Sequence, residues 1–177
     1  MTGSSISCAI IVNDRSANAP SASDRSLVTD INVDDFCKDA GRALLMLYHA
    51  FPRPHTLFVE DICGRDRTDE FGMHSDRHVA CFSALLWLAE EGLLRYVDTI
   101  RQEAVDQAVL TGRCFSLLST PAPGFDPRHA DGLPESLRLE QQTHVHRLER
   151  ALAERSSTRV RTVVLDLMRA FVRPHDA

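Results

Sequence analysis

Four side chains of metal-binding type fall close together in the middle of the chain: Cys63, His74, His78 and Cys81. The last three follow an i, i+4, i+7 spacing that one helix face can present, and tetrahedral zinc accepts such nitrogen and sulfur ligands. The short Cys-x2–4-Cys knuckle of structural zinc sites is missing, however, and His74 falls ahead of the helix rather than on it. Cys81, beside Phe82, reads more simply as a small packing residue. No metal and no cofactor is therefore expected. His144 and His146 are two apart on a helical pattern and point in different directions. Catalytic signatures are missing as well: there is no GxSxG, no HExxH, no phosphate-cradling glycine loop and no dinucleotide turn. Glu60-Asp61 and Glu90-Glu91 are adjacent pairs that diverge on a helix, so no acid–base pair is expected and the chain reads as a non-enzyme.

The remaining chemistry is that of arginine. The 177 residues carry 20 basic and 25 acidic side chains, a net charge of −5, and all but one of the basic residues (Lys38) are Arg. An acidic chain is a poor nonspecific polyanion binder, though a local basic face is compatible with it. Residues 34–119 hold nine basic and fourteen acidic side chains, whereas residues 120–177 hold nine and eight. The longest apolar runs, Ala43–Tyr48 and Ala84–Ala89, are six residues long, against the roughly 18 of a membrane span. Five widely spaced cysteines without a CxxC motif argue for reduced thiols, and the apolar run Cys8–Val12 lacks the basic start of a signal peptide. A cytoplasmic location is expected.

These side chains must be positioned by a succession of short elements. Asp34 or Asp35 can cap a helix with Phe36, Ala40, Ala43, Leu44, Leu47, Tyr48 and Phe51 on one face, widened by Leu45 and Met46 and stopped by Pro52 and Pro54. A short extended piece, His55–Val59, leads to a short helix ending at Gly64. Arg65–His74 is a polar loop. Ser75 or Asp76 caps the next helix, whose core face is Val79, Phe82, Leu85, Leu86 and Ala89, broadened by Trp87 and Leu88, with Gly92 at its end. Leu93–Val97 and Ala104–Leu110 read as strands around a tip at Asp98–Glu103. Thr111 caps a helix through Ser119. Beyond a Pro/Gly linker at residues 120–134 come two helical patterns, marked by Leu137, Val145, Leu148 and Leu152, and by Val160, Val163, Val164, Leu167 and Phe171.

Helix, short strand, short helix, loop, long helix, hairpin, helix is the order of a winged helix-turn-helix. The string Leu85-Leu86-Trp87-Leu88-Ala89-Glu90-Glu91-Gly92-Leu93-Leu94 looks like a recognition helix turning into the first wing strand, and Leu110-Thr111 looks like the pair that closes the wing. Over residues 34–119 the chain resembles bacterial winged helix-turn-helix proteins. The resemblance implies a mainly α fold with a small β-hairpin: a mobile segment at 1–33, a winged-helix core at 34–119, a linker at 120–134 and C-terminal helices at 135–177. It also implies a sequence-specific DNA-binding transcriptional regulator. Ser75, Arg77 and His78, at the start of the second helix, would then contact bases, and Arg65, Arg67 and Arg101 would contact the backbone. The C-terminal stripes either pack on the core of the same chain or, as in other winged-helix proteins with added helices, build a homodimer matched to two half-sites. The acidic charge of the core keeps an alternative open, a protein-interaction adaptor that does not bind DNA. A positive Ser75–Ser83 face favours DNA, and an apolar or negative one favours a protein partner.

Overall fold

The structure, a computed structural model, describes residues 22–122 and 141–172. The expected linker therefore lies largely outside the described residues, as do Cys8, Leu137 and most of the N-terminal segment. The described elements in chain order are α1 (Ala22–Ala50), β1 (His55–Phe58), α2 (Val59–Cys63), α3 (Asp76–Glu90), β2 (Leu94–Arg95), β3 (Asp98–Ile100), β4 (Ala104–Leu110), α4 (Gly112–Ser119), α5 (His144–Ala153) and α6 (Ser157–Val172). The protein is mostly helical, with a small antiparallel sheet of four strands. Among the described residues no helix is long and apolar enough to cross a membrane.

Local chemistry accounts for most element ends. Ser75 caps α3 by accepting the His78 N–H, and Thr111 caps α4 by accepting that of Cys114. Gly64 at φ 94° and Gly92 at φ 76° end α2 and α3 in backbone conformations that a Cβ would strain. The Thr111 hydroxyl also donates to the Gly92 carbonyl at 2.9 Å, tying the start of α4 to the end of α3. α1 differs from expectation. It begins at Ala22, so Asp34 and Asp35 lie inside the helix rather than capping it.

β4 is the central strand. Val105 pairs with Leu57 of β1 on one edge and with Thr99 of β3 on the other. β2 joins the second edge farther along, through Leu94 with Leu110. The expected first hairpin strand is thus split in two at Tyr96-Val97, and the tip shortens to Arg101–Glu103. Between His55 and Leu57 the register against β4 slips by one residue, and Gln107 there adopts φ 51°. This is a bulge that bends the strand.

One continuous core runs through all the larger elements. α1 contributes Cys37, Ala40, Ala43, Leu44 and Leu47, the sheet Leu57, Val105, Ala108 and Leu110, and α3 Cys81, Leu85 and Leu88. The C-terminal stripes join this same core: Val145, Leu148, Val160, Val164, Leu167 and Phe171 are buried. Gly41 permits the approach, since a Cβ there would lie 3.1 Å from Leu148 Cδ1. α4 is held between the two halves. Phe115 stacks on Phe51 at 4.1 Å and on Tyr48 at 5.4 Å, while Arg113 lies over the Phe171 ring. The stripes weighed for a dimer are consumed by the chain's own core, because α1 offers them a larger apolar face than its pairing with α3 can cover.

The phase of α3 also departs from the hydrophobic pattern. The helix buries His78, Cys81, Ala84, Leu85 and Leu88, and leaves Val79 at 39% and Trp87 at 38% exposure. Trp87 is braced on one edge by a T-shaped contact with Phe36 of α1.

Candidate functional site

The loop between α2 and α3 is organised by one carboxylate. Asp66 Oδ1 accepts the Ser75 hydroxyl at 2.6 Å and the Arg67 N–H at 2.8 Å, and Oδ2 lies 2.7 Å from His74 Nδ1. The same Ser75 hydroxyl caps α3, so a single hydrogen-bonded chain joins the loop to the helix start. Asp69 makes the next turn by accepting the N–H groups of Phe71 and Met73. That turn leaves both apolar side chains in solvent, at 81% and 66% exposure. The Asp66 side chain is itself buried. The Ser75 hydroxyl first, then His74 and the backbone N–H groups of Ser75 and Arg67, hold its carboxyl down at about 2 against the opposing effect of burial.

His78 enters from the first turn of α3 and is 2% exposed. Its Nε2 lies 2.8 Å from the Gln102 carbonyl oxygen at the hairpin tip. Only a protonated Nε2 can donate there, so this contact sets the tautomer. Its ring stacks on His74, centroid to centroid 4.0 Å and 5° from parallel. Nδ1 faces Asp66 Oδ2 at 3.6 Å and has no hydrogen-bond partner. These groups line a cleft of roughly 390 Å³ together with Phe58, Glu60, Asp61, Thr68 and Glu103.

The arginine and serine positions singled out from the sequence are distributed differently. Ser75 is engaged between Asp66 and the α3 cap. Arg77 turns back onto α1, where its two terminal nitrogens donate to the two carboxylate oxygens of buried Asp39 at 2.6 Å each, with Asp35 at 3.7 Å. Arg65 and Arg67 are exposed on the loop, and Arg101 is exposed at the hairpin tip with φ 50°. The outward face of α3 consists of Asp76, Val79, Ala80, Ser83, Trp87 and Glu90. None of these is a cation, and the hairpin adds exposed Val97 and Ile100.

The four residues weighed for zinc fall into two pairs, with the Cys63 and Cys81 side chains in contact with each other and His74 against His78. Cys81 is in the core, where burial raises its thiol pKa. His74 and His78 do come together, but their third neighbour is Asp66. Among the described residues, these three form the group of potential metal ligands, with one ligand atom of each within 4.8 Å of the others. Asp66 falls inside the polar loop Arg65–His74 and is not singled out by its sequence. The available signal was an Asp followed by two His residues one helical turn apart, and only the closure of the loop shows that the Asp folds back onto them. Comparisons with protein-family models, curated proteins and solved structures return no match to this chain.

Proposed function

We propose that this chain is a winged-helix protein that acts by docking a protein partner on the outer face of α3, and that it acts in the cytoplasm without a catalytic role. The order α1, β1, α2, α3, hairpin supports the winged-helix reading, with β1 pairing on the strand that returns from the tip. The observation that carries the docking reading is the composition of the α3 face. DNA affinity depends on neutralising phosphates, yet the cation that begins this helix, Arg77, is committed to Asp39 and its histidine is buried. What remains outward is Val79, Ala80, Ser83 and Trp87 between Asp76 and Glu90. Tryptophan and other large apolar groups are what protein interfaces use as anchors. The acidic flanks, with Glu60, Asp61 and Glu103 around the neighbouring cleft, are complementary to a partner surface that is apolar at its centre and lysine- or arginine-rich at its rim.

The exposed loop and tip arginines support the second reading, a DNA-binding regulator. Arg65, Arg67 and Arg101 together would give a salt slope of roughly −3 per monomer in log–log terms. A homodimer in either reading has to use a surface other than the buried C-terminal stripes.

A photo-crosslinking residue placed at Val79 or Ser83 in cells, with Arg169 on α6 as the control position, tests the assignment. The docking reading expects a discrete protein adduct at the α3 positions alone, weakened by Trp87→Ala in a protein that still unfolds cooperatively after losing its contact with Phe36. Selection from a random duplex library is the counter-test. An enriched sequence whose binding is lost when Arg65, Arg67 and Arg101 are replaced would overturn docking in favour of DNA.

A further inference from the structure

We propose that Asp66, His74 and His78 form a binding site for one divalent cation of the zinc class, with Asp66 Oδ2, His78 Nδ1 and one imidazole nitrogen of His74 as protein ligands. Two independent observations point there. The first is the gathering of the three ligand atoms within 4.8 Å of one another. At bond lengths of about 2.0–2.1 Å, neighbouring ligands of a tetrahedral ion lie about 3.3 Å apart. The 3.6 Å between His78 Nδ1 and Asp66 Oδ2 is close to that edge.

The second observation is the state of His78. A buried imidazole nitrogen without a partner is costly, and this one faces a buried carboxylate and a cleft. Its other nitrogen donates to the Gln102 carbonyl, which is how metal-binding histidines are commonly held, with the far N–H on a backbone oxygen and the lone pair turned to the metal. The parallel stacking of the two rings sets their nitrogens side by side. Lone pairs in parallel ring planes do not meet at one ion, so coordination requires His74 to tilt out of the stack toward His78 Nδ1 while His78 stays held on the Gln102 carbonyl. His74 would give up its present contact with Asp66 Oδ2, and any proton displaced from its ligating nitrogen passes to water.

Two histidines and one carboxylate leave a fourth position, and it opens into the cleft lined by Glu60, Asp61 and Glu103. Nitrogen and carboxylate ligands at tetrahedral spacing favour zinc over magnesium or calcium, which prefer all-oxygen shells. A bound ion would fasten the loop to both α3 and the hairpin tip, and so fix the turn that carries Phe71 and Met73. The site does not rest on the docking reading, because metal binding is measured on the protein alone.

The test uses the full-length, tag-free protein. Calorimetric titration with zinc is expected to show one saturable site per chain, weakened about tenfold or more by His74→Gln and by Asp66→Asn. Cobalt(II) in place of zinc is expected to give a tetrahedral d–d spectrum without a thiolate charge-transfer band, which separates this site from one built on Cys63 or Cys81. Imidazole nitrogen NMR on the unsubstituted protein is expected to move the His78 Nδ1 resonance on zinc addition, a readout that needs no variant to fold. Failure of zinc to saturate a site, a thiolate-dominated cobalt spectrum, or an unmoved His78 Nδ1 would each overturn the assignment.

Discussion

Replacing Arg77 by alanine leaves the Asp39 carboxylate in the interior without its partner. Asp39 lies in α1 and is 1% exposed, and Arg77 meets it with two parallel hydrogen bonds of 2.6 Å. Removing one member of a buried, hydrogen-bonded pair costs about 3–5 kcal/mol. The Arg77 side chain is 35% exposed, so water screens part of that interaction and a cost of about 2–3 kcal/mol is the better figure. For a chain of this size that corresponds to a fall in melting temperature of about 4–12 °C. Calorimetry or urea denaturation reads this directly. Arg77→Lys, which keeps the charge but not the planar fork, is expected to fall between the two. Arg101→Ala, at the exposed tip, is expected to stay within about 0.5 kcal/mol of the parent. A double-mutant cycle with Asp39→Asn assigns the loss to the pair, with a coupling of about 1–3 kcal/mol. If Arg77→Ala is as stable as Arg101→Ala and the cycle shows no coupling, the Arg77–Asp39 pair does not hold α3 to α1, and Arg77 becomes available again for contacts outside the protein.

Two further perturbations test the packing. Leu148 is fully buried against α1, so Leu148→Ala is expected to cost about 2–5 kcal/mol, and a chain ended near residue 132 is expected to aggregate. A truncated chain that is monomeric and folds cooperatively would show that α5 and α6 are not part of the core. His144 is buried, and burial first, then Arg147, lowers its pKa from the ordinary 6.5, with Asp166 opposing. The unfolded chain therefore takes up this proton at a higher pH than the folded one. The stability contribution of a neutral His144 is fully present above about pH 6.5 and drains away as the pH falls through the folded value. Urea denaturation at a series of pH values should show a shallower acid-side loss for His144→Gln, and identical slopes for the two proteins would contradict the assignment.

The parts of this protein that its sequence determines are those whose hydrogen bonds close within a few residues. Ser75 and Thr111 cap the helices they precede, because a hydroxyl can reach the N–H three residues ahead wherever the chain goes next. Gly64 and Gly92 end α2 and α3 through positive φ angles that other residues resist. Gly112–Ser119 is legible to the residue for the same reason, whereas Ala104–Leu110 is legible from its side-chain pattern although its partner β1 lies about fifty residues away. α1 shows the limit of this reasoning: a good cap at Asp34 does not oblige a helix to start there.

Tertiary structure decides which way the functional side chains face. Hydrophobicity alone turns Val79 inward and His78 outward. The structure does the reverse because the Gln102 carbonyl, 24 residues away, accepts the Nε2–H of the imidazole, and a polar atom with a partner is buried at less cost than one without. Arg77 goes to Asp39 across 38 residues of chain, a pairing that no local pattern encodes. Asp66 reaches His74 and His78 only after the loop has closed on Ser75. The C-terminal stripes display their apolarity in sequence, but an amphipathic helix states only that it must be covered. The face of α1 around Gly41, small enough for Leu148 to approach, determines that the covering surface lies in the same chain.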